Sequence, residues 1–253
     1  MNQNLPPSVL IFGITSAMAE HTARKFAADG CKIAIAGRNQ ARVHDIAEDL
    51  RVRGAAAIHE LPAFDARKPD TLAPCVAAGF EALGQVDIVL IAHGSLPDQD
   101  RCAADIDTAI SEMEINFLSV LRLCTDIANR LEALEKPATL GVISSVAGLR
   151  GRQSNYLYGS AKGGLNVFLQ GLRNRMQPHG IRVVTLLPGF VDSPMTADIE
   201  KGPLFVSAEK AGACIHRALV RSAGDIAYIP FFWRWIMLVI RLIPEPLFKR
   251  LKL

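Results

Sequence analysis

Short apolar runs alternate along this chain with longer stretches in which apolar residues recur every three or four positions. The runs lie at 8–12, 32–36, 56–61, 86–92, 139–144, 182–187 and 225–229. Several are apolar throughout, as strands buried on both faces are, and the stretches between them carry the period of amphipathic helices. Two of these stretches close on Gly30 and Gly54, placed like helix C-terminal glycines, and further helices are expected over 105–136 and 156–177. This order predicts an α/β fold: a doubly wound, mainly parallel seven-stranded sheet with helices on both faces and right-handed crossovers. No repeat, low-complexity segment or linker divides the chain, so one domain is expected over residues 1–229, followed by an apolar and basic C-terminal extension, 230–253.

In such a sheet, ligands bind beyond the carboxyl ends of the strands. The residues that follow the runs there are small or polar: Gly13, Gly37-Arg38-Asn39, Asp65, His93-Gly94, Ser145 and Pro188-Gly189. Gly13 opens the stretch GITSAMAEHTARKF, a tight turn feeding a helix whose first amides suit a phosphate. Nucleotide loops of the G-x-x-x-G-x-G kind have two more glycines, where this chain has Ala17 and Ala19. Ala19 falls where such patterns already admit alanine for helix packing. The Ala17 methyl stands where backbone approaches the pyrophosphate, so a slightly displaced phosphate is expected, and Gly13, Thr15, Ser16, Ala17 and Met18 are the candidate contacts. After the second run comes Arg38, with no acid until Asp45. A carboxylate there selects the ribose hydroxyl of NAD, whereas an arginine accommodates the 2′-phosphate of NADP, so NADP(H) is preferred over NAD(H).

The densest chemistry is in GVISSVAGLRGRQSNYLYGSAKGGLNVF, 141–168. Tyr158 and Lys162 are four apart, which places phenol and ammonium on one helix face. A nearby ammonium favours the phenolate and is expected to lower the tyrosine pKa, suiting it to give or take a proton at an alcohol or carbonyl oxygen. Tyr156 has only Ser160 at the same spacing. Ser145 ends the fifth run thirteen residues before Tyr158, so sheet and helix can bring both hydroxyls to one small volume.

With these motifs in this order, the chain resembles the short-chain dehydrogenase/reductases over roughly residues 8–229. The resemblance implies a Rossmann-type fold in which Ser145 positions the substrate oxygen and Tyr158 is the acid/base. It further implies that Lys162 lowers the tyrosine pKa and holds the nicotinamide ribose, and that Asn116, in EINFLSV, tethers a relay water near the lysine. Pro188 and Gly189 would border the nicotinamide, Val191 would give its carboxamide a backbone contact, and Asp65 would contact the adenine. The family's Asn-Asn-Ala-Gly is here Ile91-Ala92-His93-Gly94. Ala92, His93 and Gly94 are candidate cofactor contacts, with His93 touching the ribose or serving the fold alone. The resemblance also implies a mobile lid over 190–205 and a homodimer or homotetramer built on helices 108–134 and 156–177.

The expected activity is NADP(H)-dependent interconversion of a carbonyl and a secondary alcohol. Two alternatives are a non-catalytic nucleotide-sensing or partner-binding protein on the same fold and an enoyl-type double-bond reductase. The presence of Ser145, Tyr158 and Lys162 speaks against the first. Their spacing speaks against the second, since enoyl reductases of the family separate tyrosine and lysine more widely.

Composition and charge adjust this picture at the edges. Half of the 253 residues are hydrophobic, and five scattered cysteines form neither a zinc nor a disulfide pattern, so no metal is expected and a cytoplasmic setting is. The first ten residues lack the features of a signal peptide, so the mature chain is expected to begin here. Net charge is +3, but residues 230–253 alone carry +4, leaving no basic stripe for nucleic acid. The apolar stretch 231–243 is too short to span a bilayer. It is expected either to cover the pocket or build an interface, or to lie at a membrane surface with Phe231, Trp233 and Trp235 in the lipid boundary and Lys249, Arg250 and Lys252 on anionic headgroups. The tail suits an apolar or lipid-linked carbonyl or alcohol substrate, and weakly resembles reductases of polyprenyl-phosphate-linked keto sugars.

Overall fold

A computed structural model describes residues 7–221 and 224–251. Lys252 of the expected headgroup cluster, and the first six residues of the stretch read for a signal peptide, lie outside these.

The strands are β1 (Ser8–Phe12), β2 (Lys32–Ala36), β3 (Ala57–Glu60), β4 (Ile88–Ile91), β5 (Ala138–Ile143), β6 (Ile181–Pro188), β7 (Val191–Asp192), β8 (Val206–Ser207) and β9 (Ile226–Ile229). Among the described residues, seven of them form one parallel sheet in the order β3-β2-β1-β4-β5-β6-β9, as the apolar runs predict. The pair β7 and β8 forms a separate two-stranded parallel ribbon that the pattern did not announce. The helices are α1 (Ala17–Ala28), α2 (Gln40–Val52), α3 (Leu72–Leu83), α4 (Gln99–Ala104), α5 (Ile106–Met113), α6 (Ser119–Ala133), α7 (Tyr156–Met176), α8 (Ala208–Val220), α9 (Trp233–Leu242) and α10 (Glu245–Phe248). Between α5 and α6, Glu114–Leu118 form a π-helical segment, so the single long helix expected over 105–136 is wound in three parts.

Strand alternation divides the core in two. Leu10 and Phe12 of β1, with Val89 and Ile91 of β4, point to the layer formed with α3, α6 and α7, while Val9, Ile11, Ile88 and Leu90 point to α1, α2 and α8. Each residue of β1 is buried, which is why its sequence is apolar without alternation. The chain leaves β1 for β2 and β3 on one side and returns to β4 on the other, so the strand order reverses between β1 and β4 and opens a crevice there.

Two glycines set the edges of that crevice. Gly13 has φ +80°, and a Cβ on it would lie 2.5 Å from the backbone nitrogen of His93, so only glycine closes the turn between β1 and α1 against the end of β4. Gly212 lets α8 pack on α1: a Cβ there would lie 2.9 Å from Thr22 N and from His21 C. Across the contact the Thr22 hydroxyl donates to Met18 O at 2.7 Å and to Gly212 O at 3.4 Å. The helix that opens at the crevice is thus backed by one from near the chain's end.

Candidate active site

Beyond β5, Ser145 is extended and caps a short turn, its Oγ accepting the Ala147 amide at 3.1 Å. With a lone pair so occupied, the hydroxyl hydrogen is free to be donated. The turn is held on α7, for a Cβ on Gly148 would lie 2.5 Å from Lys162 C. Ser144 also donates to Asn166 Oδ1 at 2.7 Å, tying the strand end to the same helix. Tyr158 therefore faces Ser145, whereas Tyr156 is 48% exposed, so the helix itself selects between the two tyrosines.

Lys162 is buried, donates to Ile143 O at 3.3 Å and lies 5.6 Å from the centre of the Tyr158 ring. Burial lowers its pKa to about 8. Burial also raises the Tyr158 phenol to about 12, opposed only by the Ser145 hydroxyl, which hydrogen-bonds it. The lysine was expected to lower the tyrosine value; instead the value rises, and the cause is the loss of water around the phenolate.

Asn116 sits in the π-helical segment and is fully buried. Its Oδ1 accepts the Ser95 amide at 3.0 Å, while Nδ2 donates to Ser95 Oγ at 2.9 Å and Glu112 O at 3.1 Å. A Cβ on Gly94 would lie 3.0 Å from Asn116 Oδ1 and 3.6 Å from Lys162 Nζ, so the Gly94 backbone passes between the two side chains. Asn116 stands behind the cavity wall and props the Gly94-Ser95 loop.

Every other candidate catalytic or cofactor residue lines one of two adjoining cavities. Gly13, Thr15, Ser16, Ala17, Met18, Arg38, Asp65, Ala92, His93 and Gly94 line a cleft of about 420 Å³ at the β1/β4 crevice. Ser145, Tyr158, Lys162, Pro188, Gly189 and Val191 line a chamber of about 150 Å³ beside it, sharing Ser16, Met18, Ala92, His93 and Gly94 with the cleft. The cleft fits a dinucleotide. Ser16 precedes α1 without capping it through its side chain, so the first amides of that helix remain open to phosphate. Arg38 is exposed at the rim, and Asp65 accepts the Arg67 amide at 3.0 Å in a local turn.

His93 is held in one tautomer. Ser119 Oγ donates to Ile115 O at 2.8 Å, so in its 2.8 Å contact with His93 Nε2 it is the acceptor and the ring carries its proton on Nε2. Nδ1 is then a buried acceptor without a partner among the described residues. Burial, and the charge of Lys162, lower the imidazole to about 3.

The far wall of the chamber includes Phe190, Met195 and Ile199 from the expected lid over 190–205, Trp233, Met237 and Ile240 from the tail, and Arg152 and Asn155, which nothing in the sequence singled out. Of the two settings expected for the tail, Trp233 takes the pocket-covering one and not the lipid boundary: it is 4% exposed and packs on Gly189, where a Cβ would lie 1.9 Å from its indole. The signal was present, since Trp233, Met237 and Ile240 follow one another at helical spacings of four and three. The opposite face of α9 leaves Trp235 57%, Val239 65% and Leu242 73% exposed. No helix among the described residues is long and apolar enough to cross a membrane.

A family model described as short chain dehydrogenase matches residues 7–203. The chain is 35% identical over 243 residues, 96% of each sequence, to an uncharacterized oxidoreductase of Mycobacterium tuberculosis. It is 32% identical over 247 residues to another from Streptomyces coelicolor, covering 97% of this chain and 96% of that one. Among solved structures it is similar to a short chain dehydrogenase from Burkholderia cenocepacia J2315 in complex with NADP, with a TM-score of 0.81, 16% identity and 97% of each chain covered. It is also similar to a variant of actinorhodin polyketide ketoreductase with NADPH, with a TM-score of 0.78, 19% identity, and 88% of this chain and 95% of that one covered.

Proposed function

The chain belongs to the short-chain dehydrogenase family and is an oxidoreductase, and from that premise we propose that it interconverts a carbonyl and a secondary alcohol with NADP(H). The observation that carries this reading is the meeting of Ser145, Tyr158 and Lys162 in one chamber opening onto a dinucleotide-sized cleft. Pro188, Gly189 and Val191 would border a bound nicotinamide, which would supply the hydride exchanged with the substrate carbon. In the reducing direction Ser145 donates a hydrogen bond to the carbonyl oxygen, and Tyr158 gives that oxygen its proton as negative charge develops on it. Lys162 favours the phenolate left behind and binds the cofactor ribose, while Asn116 acts through the loop it props. The preference for NADP(H) rests on Arg38, supported by the NADP and NADPH named with the two structural relatives.

Tyr158→Phe should lower turnover by about 10²-fold or more, the usual scale of one general acid, and leave the fluorescence titration with NADPH unchanged. Undiminished turnover would reject the assignment, and tighter binding of NADH than NADPH would reject the cofactor preference.

The exposed apolar face of α9, flanked by Arg234, Arg241, Lys249 and Arg250, suits an anionic membrane surface. We therefore place the protein in the cytoplasm or peripherally on a membrane, acting on an apolar or lipid-linked carbonyl or alcohol. Exposed Ile106, Ile110 and Val167 on α5 and α7 suit a homodimer or homotetramer.

A further inference from the structure

We propose that the chamber contains an anion subsite built on Arg152, and hence that the substrate carries a phosphate, carboxylate or similar group besides its reacting carbon. The inference rests on the reading above only for which cavity holds the substrate.

Two arginines stand two residues apart between β5 and α7, and the fold treats them differently. Arg150 is fully engaged: it donates to Arg241 O at 3.3 Å and to Glu245 Oε2 at 2.7 Å, and it lies 4.1 Å above the centre of the Phe248 ring. It straps α9 and α10 to the chamber. Arg152 lines the chamber, is partly buried, and makes no side-chain hydrogen bond or ion pair among the described residues. Burial depresses its pKa with no carboxylate to compensate. A guanidinium withdrawn from water without a partner is costly, and a ligand anion removes that cost.

The surroundings point the same way. Among the described residues no aspartate or glutamate lines the chamber, and the only other lysine or arginine there is Lys162, which donates to Ile143 O and lies beside the tyrosine. Phe190, Trp233, Met237 and Ile240 line the same chamber, an apolar setting in which a charge-assisted fork is strong. Asn155 is also on the wall, and its buried Oδ1, without a partner among the described residues, would accept from a hydroxyl of the same ligand. The cofactor's phosphates do not account for Arg152, because the turn before α1 and Arg38, which would hold them, line the cleft, and Arg152 does not.

The test is binding of decyl phosphate, decanoate and decanol, each below its micelle concentration, followed by tryptophan fluorescence with and without NADP+. Wild type should bind the better of the two anions about tenfold or more tighter than decanol, and Arg152→Gln should bring that anion to the level of decanol. Arg152→Lys should restore part of the difference, and all three proteins should hold NADP+ within about twofold of one another. Whichever anion is preferred identifies the charged group. Equal binding of anions and alcohol by wild type, or an unchanged anion preference in Arg152→Gln, overturns the subsite. So does a loss of NADP+ affinity in Arg152→Gln that matches the loss of anion affinity. Failure of NADP+ to bind wild type counts against the cofactor assignment instead, since the probes are also titrated without it.

Discussion

His93 shows how a single bond gives a residue its chemistry. Because Ser119 accepts from Nε2, the ring has no site left for a second proton except a buried nitrogen. Its folded pKa of about 3 lies below the ordinary 6.5, so between those values the unfolded chain takes up a proton that the folded protein refuses. The contribution to stability is complete above about pH 6.5 and is lost as pH falls towards 3, with a limiting slope of about 1.4 kcal/mol per pH unit. Urea unfolding of wild type and His93→Gln at several pH values should show a shallower acid decline for the variant, whatever its stability at pH 7. Parallel curves would mean that His93 does not titrate this way.

At the scale of elements, the contact between α1 and α8 connects packing with ligand binding. Backbone atoms of His21 and Thr22 lie where the methyl of Gly212→Ala would go, so the helices must separate. We expect a loss of about 1–3 kcal/mol in urea denaturation, typical of overpacking. NADPH should also bind more weakly, because α1 carries Ala17 and Met18 into the cleft. Elements of this kind were unevenly legible. The sheet strands could be read to within two residues, since burial on both faces makes the central ones, such as β1 and β4, continuous apolar runs, and α1 and α2 could be read because Gly30 and Gly54 stop them in the left-handed region. Helix α3 has no polar face and carries Pro74 and Gly79, so it offered neither period nor cap. The π-helical segment within 105–136 keeps an apolar character that periodicity cannot tell from α-helix. The site divided in the same way: the Ser145, Tyr158 and Lys162 spacing is local and readable, whereas Arg152 gains its meaning only from a wall supplied by residues eighty positions later.

For the whole molecule, the two-faced α9 joins cavity and exterior. Its inner face, Trp233 and Met237, is part of a small core with Val146 and Leu187, so removing the tail would open the chamber as well as strip the surface. The informative variant changes only the outer face: Leu238→Ser, Val239→Ser and Leu242→Ser together. Wild type should co-sediment with vesicles containing phosphatidylglycerol and the triple variant should not, since burying each such side chain is worth about 1.5–3 kcal/mol. NADPH affinity should be equal in both, and equal sedimentation would exclude α9 as the lipid contact. The pairing of α1 with α8 has a consequence in time as well as space. Thr22 and Gly212 are 190 residues apart, so on the ribosome the turn before α1 is made well before the helix that backs it. A nascent chain ending before α8 holds the loop without its support, so a ligand of that loop would begin to stabilise the protein only once α8 has been made.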